Sequence, residues 1–324
     1  MPTAHLLPPA PTDPRTVLVA DALLEPARVW LAEAAESVAV RPTAIRVLFP
    51  AARRRCGEER LDEHWSADEA ARAVLLTALP MRGRALADQV AGLFRHGDPT
   101  ERRAVLKALP FLDDAVAVAA GAPVAVRVDD PTGVAVDTSV AVAGDAPPGD
   151  VPFAPSEADP FGDLALSLVR EALRGHDDSV IEAALGAYAA VRLPDAEYRQ
   201  AVLTCVRHEI PLDRVTGLDA RADRELAGML ADFAHERIAA GRDVPSDVWP
   251  VVRAFPAVAK TLAAQARDLT PARGEAAARA LAALGRSGME TETETETEAE
   301  KEAEKEAEKE AETGAETGAE RHTE

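Results

Sequence analysis

The charged residues of one helical segment, residues 212–249, are the strongest candidates for chemistry in this sequence. On a helical wheel of about 100° per residue, Arg237 lies within one apolar arc, which is formed by Leu226, Met229, Leu230 and Phe233. A guanidinium group stays protonated in proteins, so a buried arginine needs carboxylates or carbonyls as partners. The pattern therefore predicts that Arg237 faces the core or a cleft and binds an acidic or anionic group there.

Neighbouring charged residues complete this candidate site. Asp232 and Glu236 are four residues apart on one helix edge, and paired carboxylates can act as general acid and base when their environments differ. The other candidates for binding a ligand or a partner are Asp219, Arg221 and Arg242. Three interpretations remain open: a structural ion-pair network, a clamp for an anionic ligand, and a catalytic centre. Asp219 is also explained by a capping role at a helix entry.

Several common reaction centres are absent from the sequence. It contains no GxGxxG or GxxxxGK phosphate loop and no GxSxG nucleophile elbow. His208 and His235 are each followed by Glu, as in a zinc-binding helix, but Leu212 and Ala239 stand where the second histidine is required. We therefore predict no catalytic residue, no metal site and no cofactor.

Several charged residues outside the candidate segment are expected to be solvated. Asp68 and Arg72 form an i,i+4 pair on a predicted helix, and most such pairs lie at the surface. Lys107 and Lys260 are the only lysines outside the C-terminal tail, and both are expected at the surface. A Schiff-base mechanism has little support from such lysines.

Composition and charge restrict the class of protein. The chain has 324 residues and a formal net charge of −20, of which the tail at residues 290–324 contributes −11. The remaining −9 gives no basic footprint for nucleic acid. Two cysteines are too few for a disulfide framework. Neither a secretory signal nor an apolar stretch long enough to span a membrane is present, so we predict a cytoplasmic protein.

Signals for helix starts and helical hairpins dominate the rest of the sequence, and these helices must position the candidate site. Ser66 with Glu69, and Asp98 with Glu101, have the spacing of capping boxes, and Thr270 before a proline is a further candidate helix start. The motif LTALP ending at Pro80 returns as LKALP ending at Pro110, which indicates two similar helical hairpins. These signals predict an all-α fold, an array of antiparallel helical hairpins with HEAT-like packing as one form of it.

Shifts in composition predict five regions. A disordered N-terminus (1–15) precedes an N-terminal helical part (16–112), and a C-terminal helical part (161–286) precedes a disordered acidic tail (287–324). The Val/Gly/Pro-rich stretch between the helical parts (113–160) is expected to be a flexible insert, with a short β-hairpin as the alternative.

The sequence resembles the EboA family. The resemblance is densest in GLDARAD (217–223), LAGMLADFAHERIAAGR (226–242) and the following VPSDVW, and it is weaker in EAALGAYA, AVLTCV, LFPAARRRCG, DEAARAVLL and GDPTERRAVLKALP. It covers about two thirds of the chain. The chain departs from the family pattern at RLPDAEYRQAVLTCVRHEIPL, where the family usually has aromatic or amide residues.

The resemblance implies a role but no known reaction. Proteins of this family are encoded beside a UbiA-type prenyltransferase, a TatD-like hydrolase, a sugar-phosphate isomerase-like protein and a dehydroquinate-synthase-like enzyme, in clusters that make or export a specialised metabolite. We therefore expect a non-enzymatic accessory or scaffold protein that contacts those partners. The alternative is an enzyme or binding protein for an anionic metabolite, a sugar phosphate or a prenyl diphosphate, which uses Asp232, Glu236 and Arg237.

Overall fold

The structure, a computed structural model, describes residues 13–18, 23–113 and 159–285, and it omits the side chains of residues 271–273. The predicted all-α fold is confirmed, since these residues form helices and no strand. The α-helices are α1 (Pro14–Val17), α2 (Glu25–Val40), α3 (Ile45–Cys56), α4 (Ala67–Thr77), α5 (Gly83–His96), α6 (Pro99–Leu112), α7 (Pro160–Leu173), α8 (Asp178–Ala184), α9 (Ala187–Arg192), α10 (Asp195–Arg207), α11 (Leu218–Arg221), α12 (Arg224–Ala239), α13 (Val248–Arg253) and α14 (Pro256–Gly285). Short 3₁₀ helices occupy Pro42–Ala44 and Leu212–Arg214.

Two compact units divide the chain, Met1–Arg221 and Ala222–Glu324. In the first unit α4 is the central helix, because it packs against α2, α3 and α6 and all but one of its residues are buried. A helix surrounded in this way must be apolar on every side or must pair each charge that it buries. In the same unit α5 packs against α7, and α6 packs against α8. Helices on both sides of the predicted insert therefore contribute to one unit.

Local capping signals fix where two of these helices begin. The backbone N–H of Ser66 donates to the Glu69 carboxylate at 3.4 Å, as the predicted capping box of α4 requires. In α6 the box is reciprocal: the N–H of Glu101 donates to Asp98 Oδ1 at 2.9 Å, and the N–H of Asp98 donates to Glu101 Oε2 at 3.1 Å. Both predicted helix starts are confirmed.

The helix ends differ more from expectation. The helix of the first motif, α4, ends at Thr77, ahead of Pro80, whereas α6 continues past Pro110 to Leu112. The repeated motif therefore ends one helix and lies inside the other, and a HEAT-like repeat stays a prediction. Thr270 does not start a helix, because α14 runs through it and its hydroxyl donates to the carbonyl of Ala266 at 3.2 Å.

In the second unit α12, α13 and α14 pack against one another. Asp223 starts α12, since its carboxylate accepts the N–H of Leu226 at 2.8 Å. The buried residues of α12 follow helical spacing and include Leu226, Leu230 and Phe233. The predicted N-terminal disorder, the insert and the acidic tail fall largely or wholly on residues 1–12, 114–158 and 286–324, outside the described residues.

Candidate functional site

The six predicted site residues are divided between the two units. Asp219 and Arg221 lie on α11 in the first unit, and Asp232, Glu236, Arg237 and Arg242 lie on or just after α12 in the second. Each group is therefore described by itself.

Arg237 secures the carboxyl end of α12 and is half-buried there. The helix ends in a Schellman motif at Gly241, whose φ is +71°: the N–H of Gly241 donates to the carbonyl of Ile238 at 2.9 Å, and the N–H of Arg242 donates to the carbonyl of Arg237 at 2.8 Å. The Nε of Arg237 donates to the carbonyl of Asp243 at 2.6 Å. Its side chain thus ties the helix end to the following loop, which explains its placement without a ligand.

The guanidinium of Arg237 also contacts an aromatic ring. Its guanidinium carbon lies 5.8 Å from the centroid of the Phe233 ring, within the range of a cation–π contact. We expected an arginine that faces the core or a cleft, but the Arg237 side chain is half-buried and stays partly open to solvent. A half-exposed guanidinium avoids most of the desolvation cost on which the sequence argument depended.

Asp232 and Glu236 are both exposed on the outer face of α12. Neither side chain has an ion pair or hydrogen bond with another residue of the described chain. Carboxylates acquire separate acid and base roles when an enclosed, water-excluding site makes their environments differ. Two carboxylates on an open helix face instead suit recognition by a partner surface. Arg242 is also exposed, and its backbone N–H takes part in the helix cap.

Arg221 in the first unit donates four hydrogen bonds to acceptors of its own unit. It donates to the carbonyls of Ala189 (3.2 Å), Ala190 (3.1 Å) and Leu193 (2.7 Å) and to the carboxylate of Asp195 (2.6 Å). Its guanidinium carbon also lies 4.1 Å from the centroid of the Tyr198 ring. Arg221 therefore caps the carboxyl end of α9 and locks it to α10, while Asp219 beside it is exposed.

A buried cluster around Arg192 was not predicted from the sequence. Arg192 Nη2 donates to Asp113 at 2.6 and 2.8 Å and to Asp159 Oδ2 at 2.9 Å. The hydroxyl of Tyr188 donates to Asp113 Oδ2 at 3.1 Å. The side chains of Asp113 and Arg192 are 5% and 8% exposed. One guanidinium therefore holds together the two chain positions that flank residues 114–158.

The electrostatics of the Arg192 cluster fit a structural role. Burial and the carboxylate of Asp113 raise the pKa of Tyr188, which keeps its hydroxyl protonated as a donor. Burial alone would lower the pKa of Arg192, but hydrogen bonding and charge attraction from Asp113 raise it overall. Two carboxylates already surround the single cation, so the cluster has no attraction left for an anionic ligand. The sequence did not reveal this cluster, because its members are 29 to 79 residues apart, except for Tyr188 and Arg192.

A second buried network corrects the expectation that Asp68 and Arg72 are solvated. Both side chains are 1% exposed, and Arg72 Nη1 donates to Asp68 Oδ2 at 2.5 Å. Arg72 Nε donates to the carbonyl of Phe49 at 3.1 Å, which joins α4 to α3. The hydroxyl of Ser66 donates to the second oxygen of Asp68 at 2.7 Å. The pair is therefore buried because α4 is central, and its polar atoms are satisfied within the unit.

Lys107 belongs to this buried network and is not the surface lysine that we expected. Its ammonium group donates to Glu69 Oε2 at 2.7 Å and to the carbonyl of His64 at 2.6 Å. Arg103 Nη2 lies 2.8 Å from the other Glu69 oxygen. Burial lowers the pKa of Lys107, although Glu69 opposes that shift. Its ammonium group is engaged in structural hydrogen bonds, whereas a lysine nucleophile needs an available amine.

No group of three or more His, Cys, Asp or Glu side chains in the described part of the chain is placed to hold a metal ion. No helix among the described residues is both long and apolar enough to cross a membrane.

Comparison with known proteins identifies one family. The family model described as metabolite traffic protein EboA matches residues 162–253, which confirms the resemblance for this part of the chain. The weaker resemblance in the N-terminal half lies outside the matched residues. The matched region contains all six predicted site residues, and also Tyr188 and Arg192. No curated protein and no solved structure matches the chain.

Proposed function

We propose that this chain, which carries an EboA domain at residues 162–253, is an accessory protein in metabolite traffic that acts through its surface. The description of the family as a metabolite traffic protein supports the general role. The exposure of Asp232 and Glu236 on α12 is the observation that favours surface contacts over an enclosed reaction centre. The chain would then bring partner proteins together, or hand over an intermediate between them, and would not transform a substrate itself.

Two arginines of the matched region, Arg221 and Arg237, support the same proposal of surface contacts. Arg221 donates to four acceptors of its own unit, and Arg237 Nε donates to a backbone carbonyl. Neither guanidinium is preorganised around an empty anion site, as a ligand clamp requires. By contrast, the carboxylates of Asp232 and Glu236 are free to pair with cations of a partner protein, which gives specificity and steers association.

The partners that we propose are the enzymes expected from the family resemblance. They are a prenyltransferase of the UbiA type, a TatD-like hydrolase, a sugar-phosphate isomerase-like protein and a dehydroquinate-synthase-like enzyme. In this proposal the chain is a non-enzymatic cytoplasmic scaffold for the making or export of a specialised metabolite.

A co-purification experiment tests this proposal. The full chain and Asp232→Asn/Glu236→Gln are each co-expressed with the four proposed partners, and the amount of each partner retained is measured. Glu33→Gln/Glu36→Gln is the matched control, because it removes the same charge from an exposed helix face of the first unit. We expect the α12 variant, and not the control, to lose a partner. Retention of no partner by the wild-type chain would overturn the proposal.

Thermal unfolding tests the alternative, an enzyme or binding protein for an anionic metabolite. Wild type and Arg237→Met are heated with and without a panel of sugar phosphates and prenyl diphosphates. A ligand that binds only the folded state raises the unfolding temperature. If one compound stabilises the wild type and this shift disappears in a folded Arg237→Met variant, the arginine is a ligand clamp and the alternative replaces the scaffold.

A further inference from the structure

Helix α3 lies in the most basic stretch of the first unit. Residues 41–57 contain five arginines and no acidic residue, within a chain of net charge −20. Arginines near the carboxyl end of a helix interact favourably with its dipole, which accounts for the three in the last turn. That interaction does not account for the arginines farther from the helix end.

One side of α3 is exposed along its whole length and combines arginine with apolar residues. At about 100° per residue, Arg46, Val47, Pro50 and Arg54 fall within one arc of roughly 100°, and all four are exposed. We call these four residues the outer face of α3. Val47 is 74% exposed, which is unusual for a large β-branched apolar side chain. The outer face is therefore cationic and apolar together.

The opposite side of α3 holds the helix rigidly in place. Ile45, Phe49 and Ala52 are buried there, and Arg72 from the centre of the unit donates to the carbonyl of Phe49 at 3.1 Å. This anchoring fixes which side of the helix faces outward. The only aromatic residue of α3, Phe49, thus points into the core.

The arginines of the outer face have no partner among the described residues. Arg53 shows the contrast, because its Nη2 pairs with Glu58 Oε2 at 2.6 Å. Neither Arg46 nor Arg54 has a side-chain ion pair or hydrogen bond within the described chain. Pro50 has no N–H, so the carbonyl of Arg46 also lacks its usual helical donor. The outer face therefore presents two cations that lack an acidic partner within the described residues, about two helical turns apart.

We propose that the outer face of α3 binds an anionic lipid surface. Arginines that meet lipid headgroups, together with apolar side chains that enter the acyl boundary, are the combination found on interfacial helices. Protein hot spots are enriched in Trp and Tyr as well as Arg and lie in well-packed pockets, and this face has arginines but no aromatic residue to anchor a protein partner. A contact that depends on only two exposed arginines should be weak and salt-dependent.

Vesicle sedimentation with the full chain tests this proposal. The probes are vesicles of phosphatidylcholine mixed with phosphatidylglycerol and vesicles of phosphatidylcholine alone. We compare the wild type with Arg46→Gln/Arg54→Gln. The matched control is Arg174→Gln/Arg207→Gln, which removes the same charge from exposed positions elsewhere in the first unit. Circular dichroism and the unfolding temperature establish that each variant is folded.

We expect the wild type to bind the anionic vesicles and to be released by salt. Each arginine near an anionic surface strengthens binding about fivefold, so Arg46→Gln/Arg54→Gln should lower the partition coefficient about 25-fold and the control should leave it nearly unchanged. Equal binding to both kinds of vesicle, or equal losses in the two variants, overturns the proposal. If the vesicles bind nothing but a polyglutamate peptide binds with the same dependence on Arg46 and Arg54, the face recognises an acidic protein instead.

Discussion

The buried pair Asp68 and Arg72 makes the sharpest prediction about stability. Both side chains are 1% exposed, and Arg72 also donates to the carbonyl of Phe49. Arg72→Met keeps most of the side-chain volume but leaves the Asp68 carboxylate buried without its cation. Breaking a buried ion pair on one side costs about 3–5 kcal/mol, because the desolvation of the remaining charge is no longer compensated.

The second variant, Asp68→Asn/Arg72→Met, separates a lost charge pair from lost packing. It removes both charges, so no uncompensated ion remains in the core. We expect it to be more stable than Arg72→Met by about 2 kcal/mol, although it carries one more substitution. Urea unfolding followed by circular dichroism measures both values, and the transition of the first unit is the relevant one because the chain has two units.

The exposed pair Arg84 and Asp88 is the matched control. It has the same i,i+4 separation, but its side chains are 79% and 62% exposed. Arg84→Met should cost less than about 0.5 kcal/mol, since water and salt screen surface pairs. If Arg72→Met and Arg84→Met have equal, small effects, burial is not what makes the first pair important, and the central position of α4 does not strengthen that pair.

Three further predictions concern other parts of the chain. Arg192→Met should destabilise the first unit by about 3 kcal/mol or more, since it leaves Asp113 buried without its cation, and equal urea midpoints for variant and wild type would contradict this. Arg237→Met should remain folded and cost about 1–2 kcal/mol, the value of one charged hydrogen bond from a half-exposed guanidinium, as measured by thermal unfolding; complete unfolding would show a larger role. Burial raises the pKa of the Cys205 thiol from 9.0 to about 12, so the unfolded chain loses this proton first and stability should fall above pH 9 by up to about 1.4 kcal/mol per pH unit. Urea midpoints between pH 9 and pH 11 should fall less steeply in Cys205→Ala than in the wild type, and parallel curves would refute the assignment.

The candidate site could be predicted from the sequence only in part. Helical spacing placed Arg237 in the arc of Leu226 and Phe233, and Arg237 does lie against the Phe233 ring. The spacing could not reveal that its Nε reaches the carbonyl of Asp243, because that contact depends on the loop after Gly241. Nor could it reveal that residues 219–221 and 232–242 belong to different compact units.

The sequence by itself determined the properties that depend on neighbours a few residues apart. The capping boxes at Ser66 and Asp98 fixed two helix starts, the scarcity of strand patterns predicted an all-α fold, and the motifs near Gly217 identified the EboA region. Interactions at i,i+3 and i,i+4 form wherever the helix forms, so they can be read without knowledge of packing.

Burial and long-range pairing were decided only by the tertiary structure. Asp68 and Arg72 would be a solvated pair on an outer helix, and they are buried because other helices surround α4. Arg192 meets Asp113 across 79 residues, a contact that no local spacing encodes. In each case the desolvation cost of a charge depends on which helix packs over it, and that choice is made by the whole fold rather than by the segment.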